Sequence, residues 1–296
     1  MNLIDSYKRW KKIILSLKKV NRRFELLESN IENIVNEFHN DQKTNQNYKA
    51  FLRSKEYQIY SQNGEDGLLL YIFSEIGTTN RKAIEFGIGD GKQCNLANLI
   101  INFGWQTLMI DGNANGVSKA KKYYKDHPNC SDSKVIILNE FITKENINAL
   151  FTNNGFNGEI DLLSIDIDGN DYWIWQAIHS VNPRVVVIEY NASLGIDKSV
   201  SVEYDKSFYR YDKHKSGWYH GASLVALQKL GLEKGYNLIG CDSNGVNAFF
   251  IRNDIQLNKL TSVSPQEVYY TEKKRSQTHT QKEQFDIVKH LPFSEI

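Results

Sequence analysis

Apolar residues near the start of the chain recur with a period of seven: Trp10, Leu17, Phe24, Ile31 and Phe38 form one series, and Ile13, Val20, Leu27 and Ile34 fall between them. Two interleaved series of this kind are the a/d pattern of a helix that buries one seam. The spacing predicts a helical arm over residues 1–45. The hydrophilic run from Asn40 to Asn47 is too polar to pack, so a linker is expected over 46–56. From residue 57 the pattern changes to short apolar runs alternating with segments of helical spacing. Strands are expected at 82–86, 107–110, 134–138, 161–165 and 184–189. This alternation predicts an α/β fold with a Rossmann-like, mostly parallel sheet and helices on both faces. Residues 236–241 and 246–251, flanking turn residues at 242–245, predict a hairpin, which makes the final strand antiparallel. The domain is expected to end near residue 253, and the extension over 254–296 is polar and without periodicity.

Length and composition support this division. A chain of 296 residues with 41% hydrophobic positions suits one domain of about 200–250 residues plus an appendage. With 36 Lys+Arg against 35 Asp+Glu, net charge does not favour nucleic acid or a membrane as the main partner. Within the arm the charge is split: Lys8, Arg9, Lys11, Lys12, Lys18, Lys19, Arg22 and Arg23 crowd the first half, and Glu25, Glu28, Glu32, Glu37 and Asp41 the second. Two such helices attract when antiparallel, so a homo-oligomer joined through the arm is expected. A helix folded onto its own domain is the alternative, and a basic membrane-surface helix using Trp10 is a third reading. Cys94, Cys130 and Cys241 are scattered, without a C-x-x-C pair, which fits a reducing compartment and speaks against a disulfide framework or a zinc site. No apolar run approaches the roughly 18 residues of a transmembrane segment and no signal-peptide core is present, so a cytoplasmic protein is expected.

The candidate chemistry lies just after the strands, because ligands of open parallel sheets bind outside the carboxyl ends. After the first strand come Glu85, Phe86, Gly87, Ile88, Gly89, Asp90 and Gly91. Glycines let a backbone approach a ligand, and the helix that follows adds unpaired N–H groups. A dinucleotide fingerprint would need a glycine at position 92, where this chain has Lys92. After the second strand stands Asp111, about twenty residues beyond the loop, placed to accept hydrogen bonds from both ribose hydroxyls. Asn139 and Glu140 follow the third strand and are candidate contacts for an adenine amine. After the fourth come Asp166, Asp168 and Asp171, three carboxylates that repel unless something positive neutralises them. The fifth strand ends in Glu189, Tyr190 and Asn191. Asp166 or Asp168 with Glu189 and Asn191 form an all-oxygen set suited to Mg²⁺ or Mn²⁺; capping of the next helix is the plain alternative for Asp168 and Asp171. Upstream, Ser61, Gln62, Gly64, Glu65 and Asp66 form a capped helix start whose Gln62 or Glu65 is a further cofactor contact. The insertion over about 192–220 carries Tyr204, Phe208, Tyr209, Arg210, Tyr211, Lys213, Trp218 and His220, and is expected to act as a substrate lid. His220 is the first candidate for a general base.

Taken together, the Ser61-Gln62-x-Gly64-Glu65-Asp66 segment, the Glu85 to Gly91 loop, Ile110-Asp111-Gly112, the Ile165 to Gly169 segment and Asn247-Ala248-Phe249-Phe250 resemble the class I S-adenosylmethionine (SAM) methyltransferases, closest to the FkbM-type and related glycan-cluster enzymes. The resemblance covers residues from about 57 to 252 and leaves the arm outside it. It implies that Gln62, Glu85, Gly87, Gly89, Asp111 and Glu140 hold SAM. It also implies a metal set of Asp166, Glu189 and Asn191, as in metal-dependent O-methyltransferases. Those enzymes carry a Lys base three residues after the Asp, where this chain has Gly169, so Asp168 or His220 inherits the catalytic role beside Asp166. The expected activity is SAM-dependent O-methylation of a sugar hydroxyl, on a surface glycan or its nucleotide-linked precursor, with a divalent metal assisting. A non-catalytic glycan- or partner-binding module, or a nucleotide-sugar-modifying enzyme on the same fold, are the other readings.

Overall fold

The computed structural model describes residues 47–127, 130 and 134–296. The heptad arm, and any oligomer contact through it, lies outside the described residues. From Lys49 to Ile296 the chain forms one compact unit. It begins with α1 (Tyr48–Arg53), inside the stretch expected to be linker. Leu52 of this helix is buried against Gly240, which is why the segment packs despite its polar neighbours.

The α/β succession follows the alternation in the sequence: α2 (Glu65–Ile76), β1 (Lys82–Phe86), α3 (Ala97–Phe103), β2 (Gln106–Asp111), α4 (Ala114–Lys125), β3 (Val135–Asn139), α5 (Ile147–Asn153), β4 (Gly158–Ile165), α6 (Asp171–Ala177) and β5 (Val181–Glu189). Beyond the insertion come α8 (Leu224–Glu233), β7 (Tyr236–Cys241) and β8 (Asn247–Arg252). Among the described residues these strands make a seven-stranded sheet ordered β3-β2-β1-β4-β5-β8-β7. Strands β1 to β5 are parallel, and β8 runs antiparallel between β5 and β7. This is the Rossmann-like sheet with a final antiparallel strand expected from the sequence. The central strands are buried along nearly their whole length, as strands covered by helices on both faces must be.

The register sets up the site. Phe86 pairs with Ile110 on one side and with Ile165 on the other, and Ile165 pairs with Ile188. The next residue of each strand, Gly87, Asp111, Asp166 and Glu189, therefore stands on one rim at the carboxyl ends of the strands, where the chain order switches direction across β1.

The extension over 254–296 is not a featureless tail. It contains α9 (Pro265–Val268), a 3₁₀ turn (Arg275–Gln277), α10 (Gln281–Val288) and β9 (Phe293–Glu295). Both α-helices start with a capping box, Ser264 with Glu267 and Thr280 with Glu283. The insertion after β5 is likewise ordered, with a 3₁₀ turn (Ala192–Leu194), β6 (Val200–Val202) and α7 (Arg210–Lys213). Strand β6 pairs antiparallel with β9, and Val202, Phe208, Tyr219 and Val288 form a second small core between the two segments. No helix among the described residues is long and apolar enough to cross a membrane.

Candidate active site

The loop after β1 turns on glycines with positive φ: 73° at Gly87 and 54° at Gly89. A Cβ on Gly87 would overlap the carbonyl oxygen of Asp166, so β1 and β4 approach here as only glycine allows. Asp111 pins the loop, its Oδ2 accepting from the Gly89 N–H at 2.8 Å and its Oδ1 from the Asn113 N–H at 2.7 Å. Each oxygen keeps a further lone pair for a ligand. Glu85 is buried below the loop, accepting from the backbone N–H groups of Asn95 (2.8 Å) and Leu96 (3.0 Å). Burial pushes its carboxyl up to about 7 against those two hydrogen bonds. Glu85 thus shapes the start of α3 and walls a recess of about 270 Å³.

The Ser61 to Asp66 segment divides its work. Asp66 Oδ2 accepts from the N–H groups of Ile59, Tyr60 and Ser61, and Glu65 Oε1 accepts from the Asn247 side chain on β8. Glu65 is therefore a clamp between α2 and β8, whereas Gln62 is exposed and borders the cavity. Glu140 also lines the cavity, and its N–H donates to Asp111 O at 3.1 Å. Asn139 spends its side-chain amide on the same carbonyl, at 2.9 Å.

Gln62, Gly87, Gly89, Asp111 and Glu140 face a cavity of about 1290 Å³ that Asp166, Asp168 and Glu189 also line. Asp166 is half-buried and lines both the cavity and the recess beside the glycine loop. Asp168 sits at φ 56°, unusual for a residue with a Cβ, and its carboxylate pairs with the Arg210 guanidinium. Asp171 closes the turn, accepting from the N–H groups of Ile167 and Gly169, both at 2.9 Å. Glu189 is buried at the end of β5. Burial, then repulsion from Glu189, Asp168 and Asp171, raises the Asp166 carboxyl well above the usual range. Glu189 is raised as well, by burial and by Asp168 and Asp171, with Arg275 and Arg210 opposing.

His220, the first candidate for a general base, is buried beside an arginine. It is 1% exposed, and burial followed by the charge of Arg275 pushes its imidazole down to about 3. Nε2 lies 3.0 Å from the Arg275 guanidinium, and Nδ1 lies 3.4 Å from Glu189 Oε2. A guanidinium only donates, so Nε2 is the acceptor and its lone pair is engaged. His220 cannot serve as the general base through that nitrogen.

The metal set expected from the sequence also changes. Asn191 Oδ1 accepts from the Ser193 N–H (3.0 Å) and from Arg275 (3.1 Å), while its amide donates to the carbonyls of Trp218 (2.8 Å) and His220 (2.9 Å). It is a saturated structural junction and not a ligand. Acidic and His ligand atoms do converge, in the groups Asp168–Glu189–His220 and Asp166–Asp171–Glu189, each within 4.8 Å. The first loses both imidazole nitrogens, since one faces Arg275 and the other carries the proton. In the second, each Asp171 oxygen holds one backbone N–H group and keeps a further lone pair. Arg210 and Arg275 supply positive charge to the cluster.

Arg275 is the site residue that sequence reasoning missed. It comes from the 3₁₀ turn of the extension and also donates to Ser193 Oγ at 2.9 Å, which in turn donates to the buried Gln284 at 2.8 Å. No signal at position 275 marks it, although the capping boxes on either side show that the segment folds. The insertion splits in two. Phe208 and Tyr219 stack at 6.2 Å in the second core, and Tyr209, Arg210, Tyr211 and Trp218 border the cavity.

No family model and no curated protein matches the chain. Among solved structures it is similar to a SAM-dependent methyltransferase from Clostridium acetobutylicum ATCC 824, at 11% identity over 64% of this chain and 92% of the other, with a TM-score of 0.41. It is similar to magnesium protoporphyrin IX methyltransferase from Synechocystis PCC 6803, solved with bound SAM, at 10% identity over 71% of this chain and 100% of the other, with a TM-score of 0.42. A third is the CcbJ methyltransferase from Streptomyces caelestis, at 11% identity over 65% and 90%, with a TM-score of 0.39.

Proposed function

We propose that this chain is a SAM-dependent O-methyltransferase acting on a sugar hydroxyl, of a surface glycan or its nucleotide-linked precursor. The observation that carries the reading is the rim itself: a glycine loop pinned by Asp111 stands beside a free carboxylate, Asp166, at the mouth of one cavity. The loop and Asp111 hold the nucleoside and methionine parts of SAM, with Gln62 and Glu140 bordering them. The acceptor oxygen attacks the sulfonium methyl in line, the carbon–sulfur bond breaks, and S-adenosylhomocysteine leaves. Asp166 takes the hydroxyl proton as the carbon–oxygen bond forms; its raised pKa makes it a better base than an ordinary carboxylate. Holding the two reactants in line supplies several kcal/mol of the barrier reduction. Asp168, paired with Arg210, orders the acceptor wall and is not the base.

A sugar acceptor is supported by the rim chemistry. Of the large apolar side chains left exposed among the described residues, Phe141, Tyr209 and Tyr211 all border this cavity. Tyr209 and Tyr211 lie 5.7 Å apart with Arg210 between them in sequence, an arrangement that stacks on sugar rings and donates to their oxygens. The arm over 1–45 is proposed to join copies of the chain. The direct test is transfer of a labelled methyl group from SAM into a panel of nucleotide sugars and cell-surface polysaccharide fractions, with calorimetry against SAM and S-adenosylhomocysteine. Methyl incorporation that survives EDTA is the expected result; absence of binding of either cofactor at millimolar concentration removes the proposal.

A further inference from the structure

Glu189 Oε2 and His220 Nδ1 are both buried, and neither has a hydrogen-bond partner at ordinary distance. They face each other at 3.4 Å, slightly beyond a normal hydrogen bond. Two orphaned polar atoms side by side under an active-site floor are costly unless they serve one another. What decides between them is the far side of the imidazole. The Arg275 guanidinium stands 3.0 Å from Nε2 and has no lone pair, so Nε2 must accept and the single ring proton must sit on Nδ1. That proton lies on the Glu189 side of the ring, 3.4 Å from Oε2, without completing a hydrogen bond.

We propose that Arg275 is a positioning residue of this site: by donating to His220 Nε2 it fixes the Nδ1–H tautomer and turns that N–H onto Glu189, holding the Glu189 carboxylate in one orientation beside Asp166. The inference rests on the methyl-transfer reading for its catalytic consequence, whereas the tautomer follows from the geometry alone. Arg275 is itself held from several directions. It donates to Asn191 Oδ1 at 3.1 Å and Ser193 Oγ at 2.9 Å, and its Nε lies 3.7 Å from Glu272. Asn191 in turn donates to the His220 carbonyl, so the same junction fixes the ring and the guanidinium. With Glu189 oriented, one of its oxygens is available to a neighbouring hydroxyl of the acceptor while Asp166 takes the proton from the reacting one. The site is then complete only when the segment bearing Arg275 is docked on the sheet, which gives the folded extension a function beyond stability.

The experiment has two arms on the full chain. Long-range ¹⁵N–¹H spectra of the ¹⁵N-histidine-labelled wild type read the His220 tautomer without any activity, with H220Q providing the assignment. The expected result is a neutral ring protonated at Nδ1 at pH 7; a ring protonated at Nε2, or an imidazolium, overturns the proposal. In the second arm R275M and R275K are compared by acceptor kinetics and by S-adenosylhomocysteine binding. R275M is expected to lose up to about 100-fold in kcat/KM for the acceptor, with a raised KM, and to lose the wild-type His220 tautomer signal. R275K, which still donates, is expected to recover part of both, and cofactor affinity is expected to stay within a few-fold of wild type in each. A folded R275M with wild-type kinetics and tautomer overturns the proposal. If R275M does not fold, the wild-type spectrum and R275K still decide. Failure of the methyl-transfer reading shows as absent cofactor binding in wild type, while the tautomer measurement stands.

Discussion

Replacing Gly87 by alanine is the sharpest perturbation of the proposed cofactor loop. Two effects add. At φ 73° an alanine pays the left-handed penalty, about 1–2 kcal/mol. Its Cβ also overlaps the Asp166 carbonyl oxygen, and relief requires moving either the loop or the end of β4, an overpacking strain of about 1–3 kcal/mol. The sum is about 2–5 kcal/mol. Gly89 supplies the internal reference. Its φ is 54° but a Cβ there meets nothing within 4 Å, so G89A keeps only the first effect, about 1–2 kcal/mol. Urea unfolding of both variants without ligand isolates the structural difference, because neither measurement involves SAM. Calorimetry with S-adenosylhomocysteine then reports how much of the G87A strain is carried into the binding state; each 1.4 kcal/mol is about tenfold in affinity. Because the obstructing oxygen belongs to Asp166, G87A is also expected to lower kcat. If G87A and G89A unfold within about 0.5 kcal/mol of each other, the close approach of β1 and β4 does not constrain this loop and the reasoning fails.

Asp166→Asn is expected to abolish methyl transfer and yet stabilise the protein near pH 7–8, because a carboxyl with a raised folded-state pKa holds its proton more tightly when folded and its ionisation opposes folding as pH rises. The stability gap should vanish below about pH 4, the unfolded carboxylate range, and thermal melts against pH read it; an active or a destabilised D166N contradicts the assignment. Asp161 has the opposite sign: burial raises its carboxyl, but the N–H groups of Thr79, Asn80 and Arg81 and the Arg184 guanidinium outweigh it, and the net shift is downward. Its contribution is present above the unfolded pKa of about 3.9 and lost as pH falls through the lower folded value, so D161N should cost about 3 kcal/mol at pH 7 and progressively less in acid, measured by urea unfolding. Tyr211→Ala removes a stacking face from the cavity rim and is expected to raise the acceptor KM about fivefold while leaving S-adenosylhomocysteine affinity unchanged, as read by steady-state kinetics and calorimetry.

The fold was largely legible because the sheet is written in continuous apolar runs. Lys82–Phe86 and Tyr236–Cys241 match the expected strands residue for residue. Strands β4 and β5 begin earlier than expected, at Gly158 and Val181, because the ladder continues through the exposed polar pair Glu159 and Asn182, which interrupts the apolar run. Helix α1 escaped notice because six residues span under two turns, too few for a periodicity, and Leu52 alone is fully buried. The rim was equally readable. Gly87, Asp111, Asp166 and Glu189 each stand at the carboxyl end of an apolar run, and parallel register carries them to the same level.

The partners of that rim were not readable, and the reason is distance along the chain. Three carboxylates after β4 and one at the end of β5 demand positive charge, and the segments 166–171 and 189–191 that carry them hold no Lys or Arg, so a metal ion is the inference that adjacency permits. The folded chain answers the same demand with Arg210, 42 positions beyond Asp168, and Arg275, 84 beyond Asn191. Neither carries a local mark of its destination. The clue within reach was indirect: capping boxes at Ser264–Glu267 and Thr280–Glu283 bracket Arg275, and a segment that stops and starts helices this deliberately has a surface to dock on. Where an acidic cluster lacks nearby cations, such capped segments elsewhere in the chain are the place to look for the counter-charge.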